Sequence, residues 1–201
     1  MDRELAVAIN QLGAGTIDRV TELVCDVPFL VVLWLGVVVL AWIFDRRRAR
    51  RVTLAVLAAL TIHAIVTELL LKHALLAFFD QRVRPWMAHP DAIVPIGHRF
   101  EDSSFPSSHA ATTAALVAVL VWHYPRSWPL GVAFALFMAF ARVHNGMHYP
   151  TDVGVGTLLG LAYGALTVWI IGRFDRGAEA SRSSPTEHPS GEGDARDERA
   201  R

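Results

Sequence analysis

The 201-residue chain has one cysteine, Cys25, and one lysine, Lys72. A single thiol excludes an internal disulfide framework and a cysteine zinc cluster. Charge of one sign is not in surplus: 19 basic residues balance 19 acidic ones. That balance argues against an electrostatic nucleic-acid binder, which needs a basic excess. Beyond Phe174 there is no Val, Ile, Leu, Met, Phe, Tyr or Trp. Residues 175–201 instead carry 12 charges, 5 basic and 7 acidic, among Gly, Pro and Ser. Such a segment cannot bury enough apolar surface to offset its ordering entropy. It is expected to be a disordered tail with no catalytic role. The remaining 174 residues hold 14 basic and 12 acidic groups, so the zero is a cancellation of +2 and −2.

Long apolar runs are what the chain does have, at 53% hydrophobic overall. Val27–Phe44 and residues 106–124, 128–141 and 153–172 are uncharged, and 52–71 contains one charge, Glu68. A hydrocarbon core needs about 20 helical residues to cross. The sequence therefore predicts an all-α polytopic membrane helix bundle with about five transmembrane spans over 27–174. The soluble alternative would bury five helices that are apolar nearly all round in one small domain.

Residues 1–26 read differently. Leu5, Ile9, Leu12, Ile17, Val20 and Leu23 recur at roughly helical spacing among polar residues. They predict an amphipathic helix lying on the membrane. Its start, Asp2-Arg3-Glu4, lacks the basic region and apolar core of a signal peptide. The segment 45–51 has five arginines in seven residues. A short basic loop stays cytoplasmic. Counting spans from it puts residues 1–26, 80–105 and 142–150 outside and the tail inside.

Glu68 and Lys72, four apart near the outer end of the second span, read either as a helix-stabilising pair or as functional intramembrane charges. His63, deeper in that span, reads as a hydrogen-bonded interior residue. Gly156, Gly160 and Gly164 repeat every four residues and read as a close helix contact.

Three segments fall on the outer face. Residues 80–86 contain Arg82, Arg84 and Pro85. Residues 104–110 contain Pro106, Ser107, Ser108 and His109. Residues 142–152 contain Arg142, His144, His148 and Asp152. Guanidinium forks match phosphate oxygens. Pro106 suits a first helical turn, where Ser107, Ser108 and free amides would face an anion. His109 and His148 reach the same face, and Asp152 can orient the His148 imidazole as in base–orienter pairs. Singly, each has an ordinary reading: headgroup anchors, a helix start, a turn. Together on one face they make an anion site.

Phe105-Pro106-Ser107-Ser108-His109-Ala110 resembles the central signature of the type 2 phosphatidic acid phosphatase (lipid phosphate phosphatase) superfamily. Arg142-x5-His148-x3-Asp152 is similar to its third signature and Arg84-Pro85 to the end of its first. The resemblance spans about residues 5–172. It implies that His148 is the nucleophile that becomes a phosphohistidine, that Asp152 orients it, and that His109 protonates the leaving oxygen and then helps activate water. Arg84, Arg142, Ser107 and the Ser108 amide would hold the phosphate. The family lysine position is occupied by Ala77, so Lys72 or Arg82 would serve in its place. Ser108 stands where glycine is usual, and Ala141 where serine often precedes the arginine. No metal or other cofactor is implied.

The serine-containing central signature and the outward site most resemble the undecaprenyl-diphosphatase branch. That implies removal of the terminal phosphate of the carrier lipid used in cell-wall synthesis, in the membrane of a bacterial cell. Partners would be membrane lipids and a polyprenyl or glycerolipid phosphate, with no nucleic acid. Phosphatidate or phosphatidylglycerophosphate phosphatase is the near alternative. More distant ones are a vanadium haloperoxidase, a metal hydrolase built on His144, His148 and Asp152, and a non-enzymatic lipid-phosphate binder or flippase.

Overall fold

A computed structural model describes residues 1–13, 15–75 and 81–183, and these are helical throughout their regular elements. Two short helices, α1 (Asp2–Asn10) and α2 (Thr16–Cys25), precede α3 (Val27–Phe44) and α4 (Arg46–His63). The chain of α4 runs on as a π-helix, Ala64–Leu75. The single turn α5 (Pro85–Ala88) leads through a long loop to α6 (Ser108–His123). Then follow α7 (Trp128–His144) and α8 (Pro150–Ser183).

Capping residues set several boundaries. Asp26 accepts from the Phe29 amide and Asp45 from the Arg48 amide, so carboxylates satisfy exposed donors at the starts of α3 and α4. Pro150 opens α8, and Asp152 reaches back to the Tyr149 amide at 2.8 Å. That is the reciprocal half of a capping box, with Pro at the first helical position.

Among the described residues four helices are long and apolar enough to cross a membrane, ending at Phe44, His73, His144 and Phe174; α6 is apolar but has 16 residues. Large apolar side chains such as Val32, Ile43, Leu130, Leu136 and Leu158 are exposed around the bundle. Water would not tolerate such a belt, and lipid does. Helix α6 is central. Ala115, Leu116 and Val119 are buried against Val52, Ala55 and Ala59 of α4 and Tyr163 of α8.

The glycine repeat is where α8 meets α6. A Cβ at Gly160 would lie 2.1 Å from the Ala111 carbonyl oxygen, and one at Gly164 would lie 2.7 Å from Ala118 Cβ. Only hydrogen at these positions lets the two backbones approach so closely.

Three sequence expectations change. The N-terminal segment is two helices, α1 and α2, packed over the end of α7. Asn10 is buried there and donates to the carbonyls of Val94 and His144 at 2.9 and 2.6 Å. The tail does not lose structure at 175, because α8 continues to Ser183. Ala178, Glu179 and Ala180 are good helix formers and carry it past the apolar run. Residues 184–201 lie outside the described residues. Pro106 precedes the first turn of α6 instead of forming it, since Ser107 is the N-cap residue.

Candidate active site

His148 lies in the five-residue link 145–149 between α7 and α8 and is 2% exposed. Its Nδ1 is 2.6 Å from the Ser104 carbonyl oxygen. A carbonyl only accepts, so Nδ1 carries the hydrogen and Nε2 holds the lone pair. Nε2 meets two guanidinium groups, Arg84 Nη1 at 3.3 Å and Arg142 Nη2 at 3.2 Å. Burial, then the charges of Arg142 and Arg84, push the imidazole well below its ordinary pKa. His148 is therefore neutral, with its lone pair turned toward positive charge.

Arg84 is 3% exposed and fully engaged. Nε donates to the Asp102 carbonyl at 2.9 Å and Nη1 to the Met147 carbonyl at 3.0 Å as well as facing His148. Nη2 donates to Asp102 Oδ1 at 2.6 Å and to the Ser103 carbonyl at 3.4 Å. Arg142, in the last turn of α7, is 2% exposed and its Nε has no partner. Both guanidinium groups lie over Phe100, at 5.5 and 5.8 Å from its ring centroid.

These groups line a pocket of about 170 Å³ that also takes in Lys72, Glu68, Ser108 and His109. Lys72 Nζ stands 3.4 Å from Glu68 Oε2 and 3.3 Å from Asp102 Oδ2. An α-helix would have rotated Lys72 by about 140° from a lysine at position 77. The i→i+5 bonding of the π-helix winds more residues into each turn, which changes the face that Lys72 occupies. Ala77 itself lies outside the described residues. Ser108 Oγ donates to Glu68 Oε1. His109 Nε2 is 3.1 Å from the Cys25 carbonyl oxygen, so Nε2 donates, and Nδ1 takes a proton in the neutral ring or gives one in the imidazolium.

Asp152 stands beside His148 without a hydrogen bond to it, and Arg82 and Ser107 stand away from the pocket. Asp152 is 4.0 Å from His148 Nδ1, and its carboxylate accepts instead from the Tyr149 amide and from Arg82 Nη1 at 2.5 Å. Arg82 is held between Asp152 and Asp2, 4.2 Å over the Tyr149 ring, and does not line the pocket. Ser107 is fully buried, its amide donates to the Asp152 carbonyl at 3.1 Å, and its hydroxyl has no partner. Among the described residues His63 has no hydrogen-bond partner: its Nδ1 is unpartnered and its Nε2 is 3.6 Å from Glu68. His144 faces away toward the Ile9 carbonyl and Asp18. Among the described residues no three His, Cys, Asp or Glu side chains gather as a metal site.

Phe100, Asp102 and Ser104 belong to the site and were not anticipated. They come from the irregular loop before α6, whose sequence has no periodicity to reveal direction.

A buried neutral imidazole, two guanidinium groups and an ammonium around one small pocket are equipped to hold a phosphate group and attack its phosphorus. On a bundle of membrane-spanning helices, that defines an integral-membrane phosphatase. The chain belongs to the PAP2 superfamily, whose profile matches residues 53–176. It is 36% identical over 133 residues to decaprenylphosphoryl-5-phosphoribose phosphatase of Mycobacterium tuberculosis, covering 66% of this chain and 68% of that one. It is 28% identical over 165 residues to undecaprenyl-diphosphatase BcrC of Bacillus subtilis, covering 79% and 78%. The fold is similar to the crystal structure of a transmembrane PAP2-type phosphatidylglycerolphosphate phosphatase from Bacillus subtilis. That match has a TM-score of 0.60 at 20% identity and covers 88% of this chain and 85% of that one. The protein is thus a membrane-embedded lipid phosphatase and a phosphoric-ester hydrolase.

Proposed function

We propose that the enzyme removes the terminal phosphate of undecaprenyl diphosphate through a phosphohistidine on His148. The orientation of His148 carries this reading: Nε2 faces Arg84 and Arg142 while Nδ1–H is held by the Ser104 carbonyl. Nε2 attacks phosphorus and the bond to the bridging oxygen breaks. His109 enters this step as the imidazolium, with Nε2–H held by the Cys25 carbonyl, and gives the leaving oxygen the proton on Nδ1. Water then attacks the phosphohistidine, gives its proton back to His109, and the P–N bond breaks to free inorganic phosphate. Arg84, Arg142 and Lys72 neutralise the oxygens throughout, which is most of what phosphoryl transfer requires. The Ser104 carbonyl stabilises the imidazolium that exists while phosphate is attached.

An apolar groove of about 380 Å³ between α3, α4 and α6 shares His109 and Ser108 with the pocket. Val31, Trp34, Leu35, Val56 and Leu57 line it. It suits an isoprenoid tail leading away from the phosphate. The relative BcrC, named an undecaprenyl-diphosphatase, supports the same substrate. A second reading, a phosphosugar lipid, is favoured by the decaprenylphosphoryl-5-phosphoribose phosphatase relative. The carboxylates of Glu68 and Asp102 in the pocket suit sugar hydroxyls as well. The basic 45–51 segment supports a cytoplasmic position for the opposite end of the bundle and an outward-facing site.

The test is phosphate release by the detergent-purified protein in EDTA, with undecaprenyl diphosphate, decaprenylphosphoryl-5-phosphoribose, phosphatidic acid and phosphatidylglycerophosphate compared. Undecaprenyl diphosphate should be turned over fastest, and His148→Ala should lower the rate by roughly 10⁴-fold or more. Inactivation by EDTA, or an active His148→Ala enzyme, would overturn the mechanism. A preference for another substrate would overturn only the substrate.

A further inference from the structure

Every N–H of Arg84 already has an acceptor. Three are the main-chain carbonyls of Asp102, Met147 and Ser103, one is His148 Nε2, and one is the Asp102 carboxylate. The carbonyls are fixed by the backbone, and His148 Nε2 is the atom that must approach phosphorus. Beyond the N–H that Nε2 gives up as it turns to phosphorus, a phosphate oxygen can gain a donor from Arg84 only where the Asp102 carboxylate now sits. That carboxylate also spans the pocket. Oδ1 is 2.6 Å from Arg84 Nη2 and Oδ2 is 3.3 Å from Lys72 Nζ, the two-oxygen bridge that a phosphate would make. The Asp102 side chain is 51% exposed and rides on the irregular loop before α6, so it has room to swing out. Burial pushes its pKa up, but the Arg84 hydrogen bond and the Arg84 and Lys72 charges outweigh this and hold it below the ordinary value. The competing group therefore stays anionic.

We propose that Asp102 is a built-in competitor for the phosphate site, yielding Arg84 and Lys72 to the incoming phosphate and displacing inorganic phosphate when it returns. The inference rests on reading this pocket as the phosphate site. It predicts an unusual sign. Removing a residue that contacts a binding arginine should strengthen binding of the anion.

The measurement is inhibition of the purified full-length enzyme by inorganic phosphate, together with the KM for undecaprenyl diphosphate, in wild type, Asp102→Asn, Asp102→Ala and Glu101→Gln. Both Asp102 variants should bind phosphate about tenfold more tightly, with KM falling in parallel. Glu101→Gln changes net charge equally from an exposed neighbouring position, and should leave both values unchanged. Weaker or unaltered phosphate inhibition in the Asp102 variants would mean that Asp102 only braces Arg84, and would overturn the proposal. Equal tightening by Glu101→Gln would overturn it as well, by assigning the effect to general charge. An Arg84→Gln enzyme inhibited by phosphate as strongly as wild type would instead overturn the reading of the pocket.

Discussion

The carboxylate of Asp152 accepts from the Tyr149 amide and Arg82, while the proton on His148 Nδ1 goes to the Ser104 carbonyl. Imidazole orientation is thus held by main chain, with the carboxylate one step behind. Asp152→Asn should therefore lower kcat by about 10- to 100-fold, the range for a supporting partner, well short of His148→Ala. Equal losses in the two variants would show that Asp152 moves onto the imidazole during the reaction. A second consequence concerns pH. Because the folded pKa of His148 lies well below 6.5, its contribution to stability is present above 6.5 and is lost as pH falls below that value, where the unfolded chain takes up the proton first. The thermal midpoint of wild type should drop between pH 7.5 and 5.5 by more than that of His148→Gln. At this scale the sequence was legible where spacing bore on chemistry. His109, His148, Arg84 and Arg142 sit on or beside helix ends, and they meet. It misled at Ser107, whose amide and hydroxyl turn inward, and at Arg82, which Asp2 draws away from the pocket.

The elements were legible to the extent that apolar runs and helices coincide. All five runs are helices, since nothing but a helix satisfies its own backbone in lipid. The π-helical stretch Ala64–Leu75 had no visible mark in the sequence. Its effect is clear, because it carries Glu68 and Lys72 to the pocket. The contact between α6 and α8 was marked in advance by the glycine repeat, and it positions the site: α6 presents His109 and the start of α8 holds Asp152. A valine at Gly160 would force a side chain into the Ala111 carbonyl. Gly160→Val should cost about 3 kcal/mol, the upper part of the usual range for overpacking, and lower the thermal midpoint in detergent. Gly154, whose Cβ position is open, should accept alanine with little change and serves as the control.

Across the whole molecule, charge is sorted by end. Arg48 donates to the His123 carbonyl at 2.9 Å and lies 5.9 Å from the Tyr124 ring centroid, so the basic segment docks at the C-terminal end of α6. Arg142, His148 and Arg84 stand at the other end, where α6 begins. Segment 1–26 covers that second end through bonds no periodicity could announce: Asn10 to His144 and Val94, Asp18 to His144, and Asp2 to Arg82 and Thr151. If five arginines hold one end in the cytoplasm, the pocket and its N-terminal cover must both face outward, because one bundle relates them. Val94, 68% exposed on the covering loop, lies at the pocket end, and exposed Arg47 lies at the opposite end. In a Cys25→Ser background, Val94→Cys should react with a membrane-impermeant thiol reagent added to intact cells. Arg47→Cys, which keeps four of the five arginines, should react only after the cells are opened. The reverse pattern would put the pocket in the cytoplasm, where a lipid phosphate released on the outer leaflet could not reach it without first crossing.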